Sequence, residues 1–141
     1  MKVLVTSFSP FNNFNNNYST EVINHIKGVT KVLLDVLYDY AFNILNSNYN
    51  LADYDLIIAL GEARMRNVLT VEKYAKNISS CSLKDNGGNL KIDEIIINDS
   101  ANILQTKLNL ELIKEYASIS DDAGKFVCNN LYYHLLYTHP E

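Results

Sequence analysis

The run Asp55-Leu56-Ile57-Ile58-Ala59-Leu60-Gly61 constrains the fold more than any other stretch of the chain. It is a short apolar segment ended by glycine, the pattern of a central strand in a parallel sheet covered on both faces. Parallel neighbours cannot be joined by a tight hairpin, so helices must alternate with the strands. The preceding sequence supplies that alternation. Residues 2–6, Lys-Val-Leu-Val-Thr, predict an initial buried strand feeding the loop Ser7-Phe8-Ser9-Pro10-Phe11. Ser19 can cap a helix through about Lys27, with Val22, Ile23 and Ile26 on one face and Gly28 as its stop. The nearly continuous apolar residues of 31–37 predict a second strand, and a short helix fits 41–47.

Beyond Gly61 the pattern is sparser. Residues 67–77 alternate imperfectly and fit another strand, and Asp85-Asn86-Gly87-Gly88-Asn89 is a turn signal. A helix fits 108–117, with Leu108, Leu112 and Glu115 or Tyr116 at helical spacing, and Ser118-Ile119-Ser120 is a stub of strand. A last helix runs from near Cys128 to about Tyr137, with Pro140 beyond its end. The expectation is an α/β fold: a single domain over residues 1–141, with a mainly parallel central sheet flanked by helices. Such folds carry their chemistry at the carboxyl ends of the strands, which puts 61–66 near 121–128.

Composition excludes several classes of function. A chain of 141 residues, 48% apolar, can bury a real core. Its net charge of -4 argues against nucleic acid, because binding phosphates needs clustered Lys and Arg. No apolar run reaches the roughly 20 residues of a membrane span, and the first residues lack the pattern of a signal peptide. Cys81 and Cys128 form no disulfide framework and match no zinc spacing, so neither a metal nor another cofactor is expected. Reduced thiols in a cytoplasm are the natural reading.

The stretch Ala123-Gly124-Lys125-Phe126-Val127-Cys128-Asn129-Asn130 places a cysteine at the start of an apolar helix, just past a glycine turn. The first N–H groups of a helix have no internal partner, and its dipole adds positive charge there. A thiol at that point loses its proton more easily, and the thiolate is the reactive form. Cys128 is therefore the candidate nucleophile, with a small buried cysteine on a packed helix as the other reading.

Three segments occur in an order seen elsewhere. Phe8-Ser9-Pro10-Phe11, then Gly61-Glu62-Ala63-Arg64-Met65-Arg66 with Glu72 six residues on, then 123–130 follow the sequence order of type I pyroglutamyl peptidases, which the chain resembles. The Asp85-Asn86-Gly87-Gly88 loop followed by Ile92-Asp93-Glu94 is similar as well. The resemblance implies a cysteine peptidase that removes an N-terminal pyroglutamyl group from small peptides through a Cys–His–Glu triad. By that resemblance Cys128 is the nucleophile and Glu72 the acid. Phe8 and Phe11 help enclose the lactam ring, Glu62 lies in the loop where the lactam binds, and Arg66 stands near the catalytic centre. Neither nucleic acid nor a membrane is an expected partner, and self-association is left open.

The chain departs from the family pattern in places. Asn12 and Asn13 stand where the family has glycines, and Glu62 where it has an amide. The family histidine lies on a later strand in a Phe-x-His-x-Pro type segment, whereas here the chain reads Thr138-His139-Pro140. On a helix starting at Cys128, His139 lies about 16 Å along the axis and His134 about 9 Å. Either Thr138-His139-Pro140 is a contracted histidine segment, or the family's C-terminal strand and helix are lacking. The expected chain is a shortened or degenerate member lacking that strand and helix; the alternative to a peptidase is a truncated or degenerate, catalytically inactive relative, acting as a binding or assembly protein or a remnant.

Overall fold

A computed structural model describes residues 1–140. Three strands, β1 (Val3–Phe8), β2 (Thr30–Leu34) and β3 (Leu56–Ala59), form a parallel sheet in the order β2-β1-β3. The crossovers are α1 (Tyr18–His25) between β1 and β2, and α2 (Tyr40–Asn48) between β2 and β3. The parallel reading of the early chain holds, with one correction. The middle strand is β1, whose residues from Leu4 to Phe8 are all buried. The 55–61 run instead forms an edge, pairing with β1 alone among the described residues, and Ile58 and Ala59 are exposed. Its apolar character marks a strand with a covered flank, and sequence pattern does not say which flank is paired.

Local capping differs from expectation for a physical reason. Asn17, not Ser19, caps α1: its Oδ1 accepts the Ser19 N–H. The Ser19 hydroxyl is engaged elsewhere, accepting the Phe8 N–H at 3.0 Å and so tying α1 to β1. The helix stops at His25 rather than Lys27, and of its expected apolar face Ile23 is buried while Val22 is exposed.

The second half of the chain is built from shorter pieces. β4 (Thr70–Glu72) pairs in parallel with β7 (Ser118–Ser120), and β5 (Tyr74–Lys76) pairs antiparallel with β6 (Ile103–Gln105). The strand expected over 67–77 is thus divided at Lys73, whose N–H donates to Ser120 and whose carbonyl accepts from Thr106. The expected α/β fold with mainly parallel pairing holds, and the pairing is distributed over three small sheets, two of them parallel. The helix expected over 108–117 is only a 3-10 turn, Leu110–Ile113. Leu108, Leu112 and Tyr116 are all exposed, and a helix of that length with no surface to bury its stripe gains too little to persist.

The final helix, α3 (Val127–Thr138), carries the other side of the core. Val127, Leu131 and Leu135, at four-residue spacing, pack with Leu4, Phe8, Val32 and Leu34 of the sheet and with Ala41, Phe42 and Leu45 of α2. Two adjacent asparagines on α3 are fully buried and hold it laterally. Asn129 accepts the Lys76 N–H at 2.9 Å and donates to the carbonyls of Lys76 and Ile78. Asn130 exchanges hydrogen bonds with Asp39 at the start of α2.

Candidate active site

Cys128 is the second residue of α3. The turn before it uses Gly124 at φ +72, a conformation that L side chains rarely adopt. The Gly124 N–H donates to Asp122 Oδ1, and the Asp122 carbonyl accepts from Arg66 at 2.8 Å. On the other side of the thiol is the loop leaving β3. A Cβ at Gly61 would lie 2.8 Å from Cys128 Sγ, so the backbone there passes directly against the sulfur. The two loops expected to meet at the carboxyl ends of the strands do meet.

Glu72 closes β4 and carries its charge to this recess. One carboxylate oxygen, Oε1, pairs with Arg66 Nη1, while Oε2 is buried and has no hydrogen-bond partner. Arg66 also donates to Thr70 Oγ1 at 2.6 Å and to Ser120 Oγ at 3.0 Å. A single guanidinium therefore joins β4, β7 and the turn before α3, with Glu72 fixed among them.

The thiol does not show the lowered pKa that its helix position led us to expect. Burial of Sγ, and then the negative charge of Glu72, push it up to about 11. The residue as a whole remains exposed, so the burial is local crowding of the sulfur and solvent tempers its effect.

The remaining candidates are distributed around this centre. Phe8 is a core residue, 3% exposed, packed under the sheet. Phe11 is half-buried, with its ring 5.8 Å from Phe126 and 6.2 Å from Phe14 in an edge arrangement. Phe126 in turn meets Tyr38 at 5.5 Å. Neither Phe126 nor Tyr38 was singled out from sequence, although Phe126 precedes Cys128 by two residues and lay inside the quoted motif. An open groove of about 650 Å³ runs between 10–14 and 82–86, with Phe11 in its wall and Cys128, Glu72 and Arg66 outside its lining.

Glu62 turns to α1 instead. Its Oε2 accepts the Tyr18 N–H at 3.0 Å, at the helix N-terminus where the dipole favours an anion. Its Oε1 lies 2.8 Å from Arg64 Nε, an ion pair without good hydrogen-bond direction. Arg64 then covers the Phe14 ring at 3.5 Å. The charge that replaces an amide is thus matched by protein groups.

Among the described residues no histidine reaches the thiol. His134 bonds Asp39 Oδ1 at 2.9 Å and stacks on Phe42 at 4.8 Å. His139 follows the last turn of α3, about 16 Å along the axis from Cys128. His25 ends α1 and is exposed. No group of three His, Cys, Asp or Glu side chains among the described residues could hold a metal, and no described helix is long and apolar enough to cross a membrane.

The profile of the pyroglutamyl peptidase family matches residues 1–141. The chain belongs to that family. Pyrrolidone-carboxylate peptidases of Brachyspira hyodysenteriae and Thermosipho melanesiensis are 33% and 35% identical to it, each over 97% of this chain and over 75% and 74% of the relative. The crystal structure of pyrrolidone carboxyl peptidase from Fervidobacterium islandicum superposes with a TM-score of 0.90 at 26% identity, covering 99% of this chain and 74% of that one. Pyroglutamyl peptidase I from Bacillus amyloliquefaciens gives 0.87 at 28% identity, covering 98% and 74%. This chain therefore spans about three quarters of those relatives' length. Pyroglutamyl peptidases are cysteine peptidases, and peptides are their substrate class.

Proposed function

We propose that the chain acts through Cys128 on peptides bearing an N-terminal pyroglutamyl group, with Glu72 as the acid of the triad. The observation that carries the reading is the convergence on one thiol of Gly61 from the first sheet, Glu72 from the second and the free N–H groups of α3. In the reaction, the Cys128 sulfur adds to the scissile amide carbonyl once its proton is taken. The C–N bond then breaks, the proton passes to the departing amine, and water releases the acid from the thioester. Helix N–H groups beside Cys128 suit the oxyanion. Phe11 and Phe126 offer aromatic faces for an uncharged lactam, backed by Phe8 in the core.

The acid's open oxygen indicates where the proton acceptor belongs. Glu72 Oε2 is buried and unpartnered, and a ring N–H donated to it would orient an imidazole for the thiol. His25, His134 and His139 all lie elsewhere in the described arrangement. The two unpaired cysteines support a reducing, cytoplasmic setting.

The test is release of a fluorophore from a pyroglutamyl amide, comparing wild type with Cys128→Ala, with and without added imidazole. The expected result is release that requires Cys128 and rises with imidazole, which supplies a proton acceptor beside Glu72 Oε2. Folded protein with no Cys128-dependent release at any imidazole concentration overturns the catalytic reading. A second reading, a silent relative that binds such peptides without cleaving them, is favoured by the placement of every described histidine away from the thiol. It predicts equal peptide binding by wild type and Cys128→Ala, with no turnover by either.

A further inference from the structure

We infer that Tyr132 is a positioning residue for Glu72: its hydroxyl pins the end of β4 to α3 and so fixes the acid beside the Cys128 thiol. The inference rests on the reading of Glu72 as the acid at that thiol. Tyr132 is one helical turn beyond Cys128, and residues four apart share a face. Its Oη donates to the Glu72 carbonyl at 2.8 Å, a contact between residues 60 apart in sequence. Burial pushes the phenol up to about 12, so it remains a neutral donor across the ordinary pH range.

Glu72 is consequently held at both ends. Arg66 grips the carboxylate and Tyr132 grips the backbone carbonyl. Asn129 does a different job on the neighbouring strand, since its three hydrogen bonds go to Lys76 and Ile78. Tyr133, although adjacent and fully buried, points its hydroxyl to Ser100 and Ala101. Of the two tyrosines, only Tyr132 connects the nucleophile's helix to the acid's strand. The charged groups set around the thiol are Glu72 on β4, Arg66 paired with it, and the Lys76–Asp122 pair that borders the turn before α3.

The experiment measures the rate of Cys128 alkylation by iodoacetamide against pH, in a Cys81→Ser background so that one thiol reports. Glu72→Gln is expected to lower the midpoint by about one unit, because a negative charge disfavours the thiolate. Tyr132→Phe, which keeps the ring, is expected to lower it by about half a unit, roughly a threefold rise in thiolate below the midpoint. Tyr132→Leu gives the same direction, and in the Glu72→Gln background Tyr132→Phe adds nothing. Tyr133→Phe lowers stability without moving the midpoint. If Glu72→Gln lowers the midpoint while both Tyr132 variants leave it unchanged, the positioning role is overturned and the reading of Glu72 stands. If Glu72→Gln has no effect, both fall. An equal shift in Tyr133→Phe shows general loosening of α3 and also overturns the inference.

Discussion

The glycine at 61 is required by its neighbour rather than by its own backbone. Its φ is unexceptional, and what a methyl group would meet there is the Cys128 sulfur at 2.8 Å. The sulfur can yield by rotating to another side-chain rotamer, so Gly61→Ala is expected to cost less than about 1 kcal/mol of stability. It should nonetheless raise Cys128 alkylation several-fold, by turning the thiol out of the recess where burial and the Glu72 charge disfavour its thiolate. Urea unfolding and alkylation rates on the same preparation check both halves. Asp39 is the second residue with an individual consequence. It sits at φ 57, accepts from His134, Lys91 and Asn130, and is held well below the ordinary carboxylate pKa by the His134 hydrogen bond first of all, with Lys91 and Asn130 adding to it against the cost of burial. A lowered folded-state pKa gives stability that is fully present above the unfolded value of about 4 and is lost as pH falls through the folded value. The side chain is more than a third exposed, so solvent screening reduces the loss in Asp39→Asn to about 1 kcal/mol at neutral pH. Urea midpoints of wild type and variant should converge as the pH is taken below about 4.

Among the elements, α3 carries both part of the core and the candidate nucleophile, and its two buried asparagines show why part of the fold could not be read from sequence. Asn129→Ala removes the partner of one N–H and two carbonyls on the β5 side, and is expected to cost about 2–3 kcal/mol in urea unfolding. Leu131→Ala, a truncation in the core cluster, should cost about 3 kcal/mol by the same measurement. Leu131 was legible because a helix that packs on a core repeats its apolar residues with the helical period. Short apolar runs likewise marked β1 and the strand ending at Gly61. Apolar patterning misled at 108–117, where the spacing of Leu108, Leu112 and Tyr116 is helical but nothing lies opposite to bury them. It was silent on the asparagines, since their partners lie 53 and 91 residues away. At the candidate site, Cys128, Glu72 and Arg66 were readable from motif order. Tyr132 was not, because a tyrosine on an apolar helix looks the same whether its hydroxyl reaches solvent or a distant strand.

At the scale of the molecule, the half containing β1, α2 and α3 is dense, whereas the stretch from Leu83 to Ala117 contributes few buried residues. Amide hydrogen exchange is therefore expected to be slowest in β1 and the middle of α3 and fastest over 106–117, where a 3-10 turn stands in place of a helix. Equal protection in both regions would contradict this division. The three sheets do not hydrogen-bond to one another as one ladder, yet all three reach the first turn of α3. Gly61 comes to it from beyond β3, Glu72 from β4, and Lys76 of β5 through Asn129. No partly folded form of the chain can therefore hold the reactive centre. A chain with only its first sheet formed has a floor for the thiol but no acid, and one with only β4 and β7 has the acid but no thiol beside it. The proposed centre is thus a property of the whole fold, and loosening either small sheet draws the candidate acid away from the thiol.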